Sequence, residues 1–462
     1  MPPATIDQHN VSQSVGVSTP PRSGALLALY FFAILLPISW TIGGMALDPI
    51  RSFLLILFVP FLLRLLTKQA GSIGLPDIFV AAFSLWIIIT LTARHGIERF
   101  PYGVILAIEA FGGYLAGRIM IRSSHDYKRF IDYYLAVLLF MLPFAIYELY
   151  FARMPLADLF RGLATVVGKN PQVRYDLSRV QVVFPHSILF GVFCSLTIAS
   201  IFYIYRDQIE KMVPRLALST GMTFMSLSSG PLISVALQFG MTAWGVITKD
   251  RWKLLVTIFV ILYILGKLFT NRGPVLIFIE TFTFDPRSGW WRLHIWNYGS
   301  ASVMNNPIFG IGLDIYEKPS WLTDSVDNFW LLMAMRHGLV GFLFLATGFA
   351  FHIRAIVKAK NLDPLGLRIQ KGYLITLVGL IFTLATVHVW GSMNVMVMFF
   401  LGAGSFLYNG TRQHPTEPAL HPERSNMGTR RSLPLTRFSQ GEASTRPSRR
   451  GLVGTRADSE KI

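Results

Sequence analysis

Apolar runs of about 20 residues recur from Gly24 onward, separated by short polar segments. Each run can cross a hydrocarbon core of about 30 Å as a helix, and a helix is required because lipid offers backbone groups no partners. The pattern predicts spans over residues 24–44, 49–66, 76–93, 101–121, 129–151, 184–204, 213–228, 231–248, 253–270, 327–352, 371–389 and 391–408. One stretch needs a break: Pro214 to Thr248 as a single helix would be roughly 50 Å long. Ser228-Ser229-Gly230-Pro231 supplies it, since Gly and Pro interrupt helices and Ser favours turns.

Composition agrees, with 52% hydrophobic and 15% charged residues against about 25% charged in soluble chains. The net charge of +17 would suit nucleic acid only if the cations formed one surface. Instead Lys68, Arg122, Lys128, Arg129, Arg206, Lys211, Lys249, Arg251, Lys253, Lys358, Lys360 and Lys371 fall in links between runs, the positive-inside pattern, and a break at 228–231 puts them all on one side. The predicted fold is therefore an all-α polytopic transmembrane bundle of about 12 spans. It divides into a polar N-terminus (1–23), a membrane domain (24–409) and a disordered basic tail (410–462), with both termini cytoplasmic. Two large external loops containing short helices remain, at about 152–183 and 271–326, and the short connections elsewhere leave little room for a site. The single Cys194 excludes an intramolecular disulfide.

The first loop carries Arg153, Arg161, Lys169, Arg174 and Arg179 against Asp158 and Asp176. Cations retained on the wrong side of a membrane point to an anionic partner, whether a ligand, lipid phosphates or acids of the other loop. The second loop holds Asn271-Arg272-Gly273-Pro274, Arg287, the block Trp290-Trp291-Arg292-Leu293-His294-Ile295-Trp296, and Asn306-Pro307-Ile308-Phe309-Gly310-Ile311-Gly312. Such aromatics serve as an interfacial belt, or stack on sugar rings while arginine forks grip phosphate or carboxylate. The belt suits Trp290 and Trp291. Arg292, His294 and Trp296 place a cation, an imidazole and an aromatic plane within about one helical turn. Asp324, Asp327 and Asn328 stand where this loop enters a span. Arg336 and His337 follow inside the apolar helix, where polar groups form salt bridges, pack, or face an aqueous cavity. Walker, zincin, Gly-x-Ser-x-Gly and Cys/His metal patterns are absent, so soluble-enzyme chemistries have no support.

These features resemble the bacterial O-antigen ligases and Wzy-type polysaccharide polymerases. The resemblance is carried by Arg292-x-x-x-Trp296, Pro307-x-x-Gly310-x-Gly312 and Asp327-Asn328-x9-Gly338-x-x-Gly341, and spans roughly 170 to 345. Ligases of the family have His at the position of Asp327, and many relatives read Ser-Arg-Gly where this chain has Ser228-Ser229-Gly230. The Asp favours the polymerase branch, and the missing arginine requires other loop cations in its place.

The resemblance implies a multi-pass protein of the bacterial inner membrane. It implies a glycosyltransferase that polymerises undecaprenyl-pyrophosphate-linked repeat units into exopolysaccharide or O-antigen at the periplasmic face. The expected catalytic residues are Asp327, Arg292 and His294. Binding of pyrophosphate or glycan is expected from Arg179, Arg272, Arg174, Trp296, Asn328, Arg336 and His337. Fixed cations would stabilise the leaving lipid pyrophosphate, and Asp327 would accept the proton of the acceptor hydroxyl. No cofactor, nucleotide or metal is required; the partners are the lipid-linked oligosaccharide, membrane lipid, and flippase and chain-length regulator proteins. An O-antigen ligase acting on lipid A-core is the near alternative. A twelve-span secondary transporter is the distant one, with Glu109, Glu148 and Arg336 as intramembrane charges but no matching halves.

Overall fold

The computed structural model describes residues 22–42, 45–161, 165–166, 172–174, 176–269 and 286–409. The polar N-terminus, the basic tail, Lys169 and the segment with Arg272 lie outside the described residues. Helix α1 (Arg22–Leu35) is followed by strands β1 (Ile38–Ile42) and β2 (Met45–Leu47), then by α2 (Pro49–Leu66), α3 (Leu75–His95) and α4 (Ile97–Met120). Next come α5 (Ser124–Phe151), the short α6 (Pro155–Phe160), and strands β3 (Thr165–Val166), β4 (Val173–Arg174) and β5 (Leu177–Ser178). The chain continues through α7 (Ser187–Tyr205), α8 (Ile209–Met225), α9 (Ser229–Ile247), α10 (Trp252–Phe269) and α11 (Pro286–Asn305). It closes with α12 (Phe329–Val357), α13 (Pro364–Leu384), α14 (Ser392–Ala403) and α15 (Phe406–Asn409).

Among the described residues, eight helices are long and apolar enough to cross a membrane: α2, α3, α4, α5, α7, α9, α12 and α13. Two further apolar helices are shorter, Gly24–Leu35 and Trp252–Leu265. The segments predicted as spans 213–228 and 391–408 are occupied by α8 and by α14 with α15. The break in the long apolar stretch falls at residues 226–228, where Leu227 takes a positive φ of 45°. Pro231 then sits in the first turn of α9, where its missing N–H would have lacked an intrahelical partner anyway.

Three expectations are corrected. The span drawn over 24–44 stops at Leu35, because Pro37 cannot continue the helical hydrogen-bond ladder and the chain turns into the β1–β2 hairpin. The fold is thus mostly helical but not purely so: β1 also pairs with β3, and β4 pairs with β5, both antiparallel. The loop around 290 holds a helix of 20 residues rather than a short one.

Close approach of backbones fixes the centre of the bundle. A side chain on Gly117 would strike the carbonyl of Phe399, and one on Gly402 the carbonyl of Tyr114, so α4 and α14 cross at glycines. Beside this crossing, Arg118 and Asp77 form an ion pair at 2.6 Å, each 1% exposed, and Tyr114 donates to the same carboxylate at 2.7 Å.

Helix α12 opens at Gly338, whose φ of 70° and ψ of 177° belong to a region essentially reserved for glycine. The opening frees backbone groups that need partners. The segment 307–312 provides them: the N–H of Ile311 donates to the Met335 carbonyl (2.7 Å), the N–H of Gly312 to the Arg336 carbonyl (3.0 Å), and the N–H of Leu339 to the Pro307 carbonyl (2.7 Å). Trp86 of α3 donates to the His337 carbonyl at 2.9 Å and stacks on Phe309. The Arg94 guanidinium donates to the Gly310 carbonyl (2.6 Å) and to Asn306, and His95 accepts from the N–H of Leu313 (2.8 Å).

The Gly338→Ala protein should unfold at a clearly lower temperature than the parent in detergent, since the residue conformation alone costs about 1–3 kcal/mol and the new methyl would overlap the Ile308 carbonyl. Gly221→Ala, where a methyl meets nothing within 4 Å, should leave the midpoint unchanged or slightly raised.

Candidate functional site

Three cations from two loops gather at the α8–α9 turn. Arg174, on β4, donates to the Leu227 carbonyl at 3.0 Å. Arg179, just after β5, donates to Ser228 Oγ at 2.9 Å and to Gln172 Oε1 at 2.6 Å. Arg292, on α11, reaches Ser229 Oγ at 3.5 Å. Asp327, at the entry to α12, is the carboxylate within electrostatic range of both Arg179 and Arg292. Its neighbour Asp324 is engaged by Lys318 at 2.8 Å.

The electrostatics are those of crowded, partly buried cations. Burial, and then the field of Arg174, push the Arg179 guanidinium down to about 10, with Asp327 opposing. Burial also lowers Arg292, with Asp327 opposing and Arg174 adding to the depression. Three guanidiniums stand close enough for each to feel another's field, so an incoming anion gains from all of them. The serines that stand where relatives carry Ser-Arg-Gly are contacted by Arg179 and Arg292.

Arg179 is held from beneath by a residue no motif pointed to. The buried Glu148, at the end of α5, accepts from the N–H groups of Gln181 (2.9 Å) and Val182 (2.8 Å). Its carboxylate thus fixes the turn segment that follows Arg179.

The other predicted residues sit elsewhere. Residues two apart on a helix do not share a face. His294 accordingly packs with Trp290, Tyr298 and Trp321, its ring 4.1 Å from that of Trp290 and 5.1 Å from that of Trp321. Trp296, one turn beyond Arg292, packs half-buried against the core. Asn328 caps α12, accepting from the Leu331 N–H at 3.0 Å. His337 is buried, with Nδ1 2.8 Å from Thr90 Oγ1.

A cavity of about 470 Å³ lies between the α1–α2 connection, α3, α4, the start of α12 and the 387–391 connection. Arg336, Arg51, Glu109, Asp48 and His388 line it among apolar side chains. Arg51 ion-pairs with Glu109, which sits on a π-helical turn (Ile108–Gly112) inside α4. Residues from the connections on either side of β1 and β2 and residues 388–391 line the cavity, so the short connections expected to leave little room do border one. Arg174, Arg179, Arg292 and Asp327 are not among its lining residues.

Residues 215–346 match the family model described as O-antigen ligase. No curated protein matches the chain significantly. This segment is thus similar to an O-antigen ligase domain. Its boundaries take in the α8–α9 turn, Arg292, the 307–312 segment, Asp327 and the Gly338 opening. Arg174 and Arg179 lie before the ligase domain and are delivered to it by the β4–β5 hairpin. The match supports an enzyme role for a membrane protein.

Several parts of the site carried no readable motif. Arg94 and His95 clamp the 306–313 segment from outside the domain; the signal that could have found them is a basic pair at the wrong end of a span for the positive-inside pattern. The serine hydroxyls and Glu148 became legible only from the contacts.

Replacing Glu148 by Ala strands two buried amides, each costing about 1–3 kcal/mol. Limited proteolysis should then cut around 172–186 faster than in the parent, with Glu148→Gln intermediate because its one carbonyl oxygen still accepts.

Proposed function

We propose that the chain polymerises undecaprenyl-pyrophosphate-linked repeat units at the periplasmic face of the bacterial inner membrane, with both termini cytoplasmic. The observation that carries the reading is the convergence of Arg174, Arg179 and Arg292 with Asp327 at the α8–α9 turn, inside and beside an O-antigen ligase domain. In the reaction, the acceptor sugar hydroxyl attacks the anomeric carbon of the donor glycan. A new glycosidic C–O bond forms, the C–O bond to the pyrophosphate breaks, and undecaprenyl pyrophosphate leaves with the electron pair. Asp327 takes the hydroxyl proton, and the three arginines hold the charge that develops on the leaving pyrophosphate. The exposed Trp290 and Trp321 rings, with His294, offer a stacking surface for the glycan beside the cations.

Asp327 in place of the ligase His favours polymerisation over transfer to lipid A-core. Deletion in the native host separates the two on a gel of surface polysaccharide. Loss of polymer supports polymerisation, whereas accumulation of polymer not joined to lipid A supports ligation. Unchanged polymer contradicts both.

With purified enzyme and a lipid-linked repeat unit, Arg292→Met should lower turnover about 10²- to 10³-fold and Asp327→Asn about 10²-fold or more. His294→Phe keeps an aromatic plane outside the arginine cluster and should stay within about threefold of the parent. A larger loss in His294→Phe than in Arg292→Met would place the chemistry at the aromatic cluster instead.

A further inference from the structure

Arg336 is the charged group that the arginine cluster does not account for. It lines the 470 Å³ cavity, two turns into α12. Among the described residues no carboxylate forms a salt bridge with it. The cavity's two carboxylates are committed elsewhere: Glu109 pairs with Arg51, and Asp48 caps α2 by accepting from the Arg51 N–H at 2.8 Å. His388, outside the spans, is pushed down to about 3 by burial and then by Arg336, and so stays neutral. An unpaired guanidinium inside a membrane bundle is costly and is kept where it faces a water-filled cavity or a ligand.

Much of the lining around this cation is apolar, and a wall of that kind suits hydrocarbon. Ile34, Phe83, Ile87, Leu106, Met333 and Met398 contribute to it. A free phosphate would leave that wall unused, and an uncharged chain would leave Arg336 unpaired. The ligand that satisfies both carries a phosphate at the end of a hydrocarbon chain.

We propose that this cavity is a second lipid-phosphate site, holding the polyprenyl phosphate end of a lipid-linked glycan separately from the one gripped by Arg174, Arg179 and Arg292. The identity of the ligand rests on the transfer reading above, in which two lipid-linked glycans must be bound at once. The anion site itself rests on the cavity and its unpaired cation. Phe329 lines the cavity two residues beyond Asp327, and Val183 and Pro185 line it shortly after Arg179, so both sites share the same two stretches of chain.

The test uses the full-length protein in detergent. Ser392 lines the cavity, and the native thiol, Cys194, is buried, so Ser392→Cys introduces an accessible thiol against a low background. Geranylgeranyl monophosphate should protect this thiol from a maleimide, while inorganic phosphate and geranylgeraniol protect it weakly. Adding Arg336→Met should raise the half-protecting concentration about 10- to 100-fold, Arg336→Lys should raise it less, and Arg292→Met should leave it unchanged. Absence of protection in the single variant overturns the proposal, even where Arg336→Met cannot be purified. So does equal protection by phosphatidylglycerol, which assigns the site to bulk lipid headgroups, or an Arg292→Met effect as large as that of Arg336→Met. A protein that protects the thiol but does not polymerise would sink the polymerase reading and leave this site standing.

Discussion

A helix that opens inside a membrane protein must have its freed backbone groups satisfied by protein, because lipid cannot do it. The opening of α12 at Gly338 meets that demand through the 307–312 segment, whose amides and carbonyl engage residues 335, 336 and 339. Much of the loop geometry depends on this one docking. It ties the end of α11, which carries Arg292, to the start of α12, which carries Asp327. It also draws in α3 through Trp86, Arg94 and His95. The glycines of Pro307-x-x-Gly310-x-Gly312 and Gly338-x-x-Gly341 are thus two sides of one contact. Gly310 and Gly312 have positive φ, and at Gly338 a side chain would run into the Ile308 carbonyl.

Part of the span pattern was legible because period and length are written in the hydrophobic positions: among the described residues, eight of the predicted runs hold helices long and apolar enough to cross a membrane, and the α8–α9 turn falls within a few residues of the Ser-Ser-Gly-Pro sequence. The error at 24–44 has a simple cause, since Ser39-Trp40-Thr41-Ile42 is as apolar in a strand as in a helix and hydropathy does not record which. Within the site, Arg174, Arg179, Arg292 and Asp327 were legible as misplaced charge. Their convergence was not, because it depends on tertiary contacts through two serines and through Glu148, a residue that looked like an intramembrane charge and instead accepts two backbone amides. Asn328 and His337 were readable as polar residues near a site, but the hydrogen bonds they make belong to the fold.

Charge balance separates the two kinds of arginine in this molecule. Arg118 has Asp77 at 2.6 Å, donates to the Ser72 carbonyl at 2.8 Å, and lies beside a glycine crossing that leaves no space. Its charge is spent on holding α3, α4 and α14 together, as a buried ion pair must be if it is not to destabilise the fold. Arg51 is spent in the same way on Glu109. At the α8–α9 turn, by contrast, Arg174 and Arg179 meet a carbonyl, a hydroxyl and an amide oxygen, and Arg292 reaches a second hydroxyl. Neutral acceptors orient a guanidinium without cancelling its field, so Arg174 and Arg179 are aimed and still positive. Arg336 carries the same reasoning one step further: it has a cavity in front of it and no acid beside it. Among the described residues, Arg118 and Arg51 are paired with carboxylates inside the fold, whereas Arg174, Arg179 and Arg336 form no salt bridge, and charge of that kind suits a ligand that comes from outside the chain.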